Sequence, residues 1–196
     1  MNPAHFFTLL RIFLSPLFPI LYLGYESLDI PLASLPYLML GLLIVSEFSD
    51  VFDGFLARRR NQVTDLGKVL DPMADSITRI SLFLTFTQGF VKLPLLIVLV
   101  FLYRDFFIST LRTLCAMRGV ALAARWSGKL KAIIQAIVAF LIVILMIPYT
   151  TGQLSLELFQ KISVTAVTIA AIYTALSAID YFYSNRVYIK KALENL

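Results

Sequence analysis

The stretch SDVFDGFLARRRNQVTDLGKVLDPMADS, Ser49 to Ser76, holds five of the chain's 12 acidic residues: Asp50, Asp53, Asp65, Asp71 and Asp75. The sequence on either side is mostly apolar. Of 196 residues, 59% are hydrophobic and the mean hydropathy is +0.84, more apolar than a soluble domain of this length. Runs long enough to cross a bilayer recur at roughly 6–24, 34–57, 67–90, 94–117, 129–148 and 160–184. They predict an all-α polytopic membrane protein with six transmembrane helices. Residues 1–196 read as a single membrane-embedded domain with short loops. The apolar run from Phe6 has no small-residue cleavage site closing it, so it reads as a span rather than a cleaved signal.

Basic residues set the expected orientation. Six spans put both termini on one side. That side collects Arg58, Arg59 and Arg60, then Arg118, Arg125, Lys129 and Lys131, then Arg186, Lys190 and Lys191. The other side holds Lys92 and Lys161 with Glu26, Asp29 and Glu157. The basic side is expected to be cytoplasmic, at the cytoplasmic (inner) membrane. The net charge of +5 concentrates there, where anionic head groups and phosphorylated ligands meet it. Arg59, Arg60, Arg186, Lys190 and Lys191 read as topology signals and anionic-lipid contacts. No nucleic-acid partner is expected.

The aspartate stretch lies at the polar end of span two. If the helix continues past Ser49, Asp50 and Asp53 stand at i and i+3, about 4.5 Å apart along the axis and on one face. Gly54 and Ala57 are small residues beside that face and permit close approach to the backbone. Asn61-Gln62-Val63-Thr64 reads as a turn, with Thr64 as N-cap and Asp65 in the first turn of the next helix. There Gly67, Asp71 and Asp75 fall at i, i+4 and i+8 and form one stripe, with Pro72 expected to kink the helix beside Asp71. Two antiparallel helices then present four carboxylates to one another near the membrane surface.

Four clustered carboxylates repel one another and are costly to desolvate. A cation must offset them. The single histidine, His5, and single cysteine, Cys115, supply no alternative ligand set, so the donors are all oxygen and select a hard cation, Mg²⁺ or Mn²⁺. Two divalent cations balance Asp50, Asp53, Asp71 and Asp75 formally, an arrangement suited to phosphoryl chemistry. Arg58 and the basic loops would hold further phosphate oxygens. An EF-hand is excluded by the spacing and the missing terminal glutamate. Solvated loop carboxylates are the plain alternative, weakened by small residues in register with both pairs.

The spacing D-x2-D-G-x2-A-R-x8-G-x3-D-x3-D, over Asp50, Asp53, Gly54, Ala57, Arg58, Gly67, Asp71 and Asp75, resembles the signature of the CDP-alcohol phosphotransferase family at every position. The length and number of spans resemble the family too. The resemblance implies a homodimeric six-helix membrane enzyme with its site open to the cytoplasm. It implies transfer of a phosphatidyl or other substituted phosphoryl group from a CDP-linked donor to an alcohol, with release of CMP. It also implies that Asp50, Asp53, Asp71 and Asp75 hold two metal ions and that Asp75 is the general base. Gly54, Ala57, Arg58, Thr64 and Gly67 would line the CDP site. With no histidine or cysteine placed to form a covalent intermediate, direct displacement is favoured.

Two further stretches bear on the acceptor. NPAHFFTLLR resembles the N-P-x4-T-x2-R opening of the phosphatidylglycerophosphate synthase branch, which places Thr8 and Arg11 as site-lining residues. YRDFFISTLRTLCAMRGVALAARWSGKLKAIIQ resembles the fourth and fifth helices of that branch, with Arg104, Asp105, Ser109, Arg112, Gly128, Lys129, Lys131 and Gln135 at the matching positions. Two positions depart from it: Ser76 stands where lysine is frequent, and Ala132 where threonine is. The branch implies CDP-diacylglycerol as donor and sn-glycerol 3-phosphate as acceptor. A phosphorylated acceptor needs a cationic pocket, expected from Arg104 and Arg112 on one helix face with Lys129 and Lys131 from span five. Asp105 is positioned to neutralise one of them. Inositol phosphate is the competing acceptor. More distant readings are an intramembrane prenyltransferase, whose Asp motifs usually lie far apart, and a cation transporter, which predicts carboxylates near mid-span.

Overall fold

The computed structural model describes residues 3–59, 65–117, 119, 122 and 125–193, and the side chains of 8–49, 72–117, 119, 122 and 125–190. These fold into seven helices: α1 (Pro3–Leu14), α2 (Leu17–Gly24), α3 (Leu35–Arg59), α4 (Asp65–Thr85), α5 (Leu95–Met117), α6 (Trp126–Thr150) and α7 (Leu156–Leu193). There is no strand among the described residues, as the apolar helical runs predict. The turn over 61–64 with its Thr64 cap lies outside them.

The first and last helices depart from the expected spans, the first for a local chemical reason. The first run is split into α1 and α2 at Ser15-Pro16. Pro16 has no N–H to give the Ile12 carbonyl, and Pro19 has none to give Ser15. The Phe18 N–H reaches the Ser15 carbonyl instead, at 3.3 Å, and the Ser15 hydroxyl donates to the Arg11 carbonyl at 2.8 Å. By contrast, α4 continues through Pro72. The last helix is much longer than the expected 160–184. Its 38 residues span about 57 Å, against about 30 Å of hydrocarbon.

Among the described residues, two helical stretches are long and apolar enough to cross a membrane: Trp126–Thr150 and Leu156–Lys190. Shorter apolar stretches run over Thr8–Gly24 and Leu35–Ser49. Large apolar side chains face outward along the bundle, among them Phe13, Leu96, Phe106, Ile137, Ile172 and Ile179. Such a surface suits lipid better than water.

Helix α4 is central, packing against α1, α2, α3, α5 and α6, while α7 packs against α5 and α6. The apolar core is built from the start of α3 (Leu35, Met39, Leu43), the end of α4 (Leu82, Phe83, Phe86), the start of α5 (Val98, Phe101), the later half of α6 (Ile142, Met146) and the start of α7 (Phe159). It therefore occupies the end of the bundle remote from Asp50–Asp75. Tyr22 fastens that end. Its hydroxyl accepts the Phe90 and Val91 N–H groups at 3.1 and 3.0 Å. Gly89 beside it has φ +64°, and a Cβ there would sit 2.7 Å from the Tyr22 ring, so only glycine fits.

Buried polar side chains gather at the opposite end: Thr8, Arg11, Ser46, Ser49, Thr78, Asp105, Lys131, Gln135, Thr174 and Asn185. The end of α3 and the first half of α4 belong to this polar end.

Candidate active site

The backbone carries the aspartate motif as the spacing requires. Asp50 and Asp53 lie within α3, and Gly67, Asp71 and Asp75 within α4, so both sets have helical periodicity. Gly54, Ala57 and Arg58 are on α3 as well. The side chains of Asp50, Asp53, Ala57, Arg58 and Asp71 lie outside the described residues. Among the described ones no three His, Cys, Asp or Glu side chains gather, and Asp75 is the one motif carboxylate among them.

Asp75 is paired. Its carboxylate receives the Arg11 guanidinium of α1, and Arg11 is only 1% exposed. Thr8, one turn before Arg11, is buried too. One turn deeper the Ser15 and Thr78 hydroxyls lie 2.9 Å apart. Hence α1 and the residue that follows it grip α4 at two successive turns, and Arg11, singled out from the N-terminal motif, meets the last aspartate. Glu47 and Arg79 form an ion pair at 3.8 Å between α3 and α4. Glu47 is three residues before Asp50, and Arg79 is four after Asp75. This pair thus lies one helical turn below the motif on both helices. Arg11, Ser46, Glu47, Asp75, Thr78 and Arg79 line one cleft among α1, α3 and α4.

The expected acceptor cations divide into separate contacts. Arg104 and Lys131 converge on Asp105. Lys131 Nζ donates to both carboxylate oxygens, at 2.7 and 2.8 Å, and Arg104 Nη1 donates to Oδ1 at 3.0 Å. Ser76 Oγ completes the set by donating to Oδ2 at 3.0 Å. Gly128 makes room for this cluster, because a Cβ there would stand 3.3 Å from Arg104 Nη2. Arg112 turns to α7 instead: its Nε donates to the Tyr181 hydroxyl at 3.1 Å, and its guanidinium lies 5.3 Å from that ring's centroid. Lys129 is exposed, with Nζ 5.4 Å from the Trp126 ring centroid. Gln135, from the same motif, reaches the Thr174 hydroxyl at 3.3 Å.

Some polar partners carry no sequence signal. Asp180 receives Arg125 through two hydrogen bonds, at 2.9 and 3.1 Å, and Ser127 at 2.6 Å. This joins the start of α6 to α7. Arg79 was legible in part, since it stands four residues after Asp75 on a helix that the motif already predicts.

A fit to divalent cations rests on the donor chemistry. The motif supplies carboxylate oxygens at helical spacing on two helices that touch each other, and neither helix carries a histidine or cysteine.

The chain matches the family model described as CDP-alcohol phosphatidyltransferase over residues 1–176. It is similar to the CDP-diacylglycerol–glycerol-3-phosphate 3-phosphatidyltransferase of Bacillus subtilis, with 32% identity over 184 residues, 91% of this chain and 92% of that protein. The protein of the same description from Rickettsia typhi is 28% identical over 189 residues, 95% of this chain and 98% of its own. That of Salmonella typhimurium is 32% identical over 136 residues, 66% of this chain and 70% of its own. The motif on α3 and α4 and the match over nine-tenths of the length agree, and the chain belongs to the CDP-alcohol phosphatidyltransferase family.

Proposed function

We propose that this protein transfers the phosphatidyl group of CDP-diacylglycerol to sn-glycerol 3-phosphate, giving phosphatidylglycerol phosphate and CMP. The observation that carries this reading is the aspartate motif on α3 and α4 in a chain similar along nearly its whole length to proteins described by that reaction. A hydroxyl of glycerol 3-phosphate attacks the diacylglycerol-linked phosphorus. The new O–P bond forms, the bond to the CMP oxygen breaks, and the hydroxyl proton passes to Asp75.

Arg11 orients Asp75 for that role from the buried side. Asp50, Asp53, Asp71 and Asp75 would hold two divalent cations, Mg²⁺ or Mn²⁺, which when bound neutralise diphosphate charge and favour CMP as leaving group. Gly54, Ala57, Arg58, Thr64 and Gly67 line the cytidine diphosphate site, with Arg58 on phosphate oxygens. Arg104 and Lys131, joined at Asp105, attract the acceptor phosphate, with Arg112 and Lys129 further out.

The chain is a single domain whose helices make six membrane passes, α1 and α2 together forming the first. Both termini and the polar end of the bundle face the cytoplasm, at the inner membrane. The distribution of Arg and Lys supports this orientation, and the buried polar residues at that end support the site's place. The family resemblance supports a homodimer.

Purified Asp75→Asn protein tests the assignment of the base. Turnover is expected to fall by at least about 100-fold while CDP-diacylglycerol binding is largely kept. Turnover near the wild-type rate would remove Asp75 from that role.

A further inference from the structure

We propose that Ser76 and Asp105 are positioning residues that couple the acceptor-phosphate cations to the catalytic carboxylate. The proposal rests on the reading of the reaction given above and adds a physical link between its two halves.

The Asp105 carboxylate accepts four hydrogen bonds: two from Lys131, one from Arg104 and one from Ser76. They come from α4, α5 and α6, so one carboxylate ties three helices together. Lys131 is 4% exposed, and a buried ammonium needs a counter-charge. Asp105 provides one negative charge for two cations. Among the described residues one positive charge is left over, and Arg104 Nε is buried with no hydrogen-bond partner among them. Surplus buried positive charge and an unpartnered N–H favour an anion. The phosphate of the acceptor is the anion that the reaction brings.

The link to the chemistry runs through α4. Consecutive helical residues point about 100° apart. Asp75 faces α1, where Arg11 holds it, and Ser76 faces α5, where Asp105 holds it. The helix is thus fixed about its own axis from two sides, next to the base. Removing the Ser76 hydroxyl frees one side. The cation cluster and Asp75 then lose their mutual register, with no cation or aspartate removed.

Steady-state kinetics on the purified full-length protein tests this, varying glycerol 3-phosphate and CDP-diacylglycerol in turn. Ser76→Ala is expected to raise KM for glycerol 3-phosphate about tenfold and to leave KM for CDP-diacylglycerol within about twofold. Ser76→Thr, which keeps the hydroxyl, restores the wild-type value. In the double variant Ser76→Ala/Asp105→Asn the loss equals that of Asp105→Asn alone, because the serine acts through the carboxylate. If Asp105→Asn does not fold, the two Ser76 variants still decide. An unshifted acceptor KM in Ser76→Ala, an equal rise for both substrates, or additive losses would each overturn the proposal. Wild-type protein that releases no CMP with glycerol 3-phosphate overturns the reading of the reaction itself. Wild-type turnover with an unshifted Ser76→Ala overturns the coupling alone.

Discussion

The two ends of this helix bundle are built on different physics. At one end Tyr22, Phe83, Phe86, Phe101 and Phe159 fill a dry core, with Tyr149 and Phe159 stacked at 5.2 Å. There shape decides the fit, and Tyr22 with Gly89 closes the turn. At the other end buried positions carry Arg11, Ser46, Thr78, Asp105, Lys131 and Gln135, and the helices are joined by hydrogen bonds and ion pairs. Buried charge is costly where lipid surrounds the bundle, and here it is gathered at one end, where it is paired. The same helix serves both ends. α4 begins with Asp65, Asp71 and Asp75 and finishes with Leu82 and Phe83, so the aromatic packing of its second half anchors the carboxylates of its first.

Four variants put that contrast under strain, from the largest effect to the smallest. Phe83→Ala at the apolar end opens a cavity among fully buried side chains and costs about 3–5 kcal/mol of stability. Thermal unfolding in detergent reads it, and kcat of the folded fraction stays close to wild type. Lys131→Ala at the polar end removes a buried charge-assisted partner of Asp105 and raises KM for the acceptor at least tenfold. Exposed Lys129→Ala, two residues away, changes it less than about threefold. Equal effects at the two lysines would mean that burial on Asp105 does not mark the acceptor site. Arg125→Ala removes a partly exposed clamp to Asp180, with a small drop in melting temperature and little change in turnover.

Much of this contrast was legible in the sequence. The apolar runs predicted helices at nearly the observed places, and the aspartate spacing put two pairs on two helices. Spacing within one helix is a local property, and it survives folding. What the sequence hid depends on how helices rotate against one another. Arg11 meets Asp75 across 64 positions and Arg125 meets Asp180 across 55. Neither separation carries a period. Arg104, Arg112, Lys129 and Lys131 read as one cationic pocket, yet Arg112 turns to Tyr181 while Arg104 and Lys131 share Asp105. Ser76, a departure from the resembling sequences, carries no legible role in the sequence, and its bond to Asp105 becomes visible only when α4 and α5 are packed. Pro16 and Pro19 did signal the break in the first run, but its overall hydropathy masked them.

The reaction proposed for the polar end is a metal-dependent phosphatidyl transfer to a phosphorylated acceptor. CMP release by the purified protein tests it most directly. CDP-diacylglycerol and Mg²⁺ would be supplied with glycerol 3-phosphate, inositol phosphate, free inositol or serine in turn. Release is expected with glycerol 3-phosphate alone, abolished by chelation and restored by added Mg²⁺. Release that survives chelation, or that occurs with serine or free inositol but not with glycerol 3-phosphate, would contradict it.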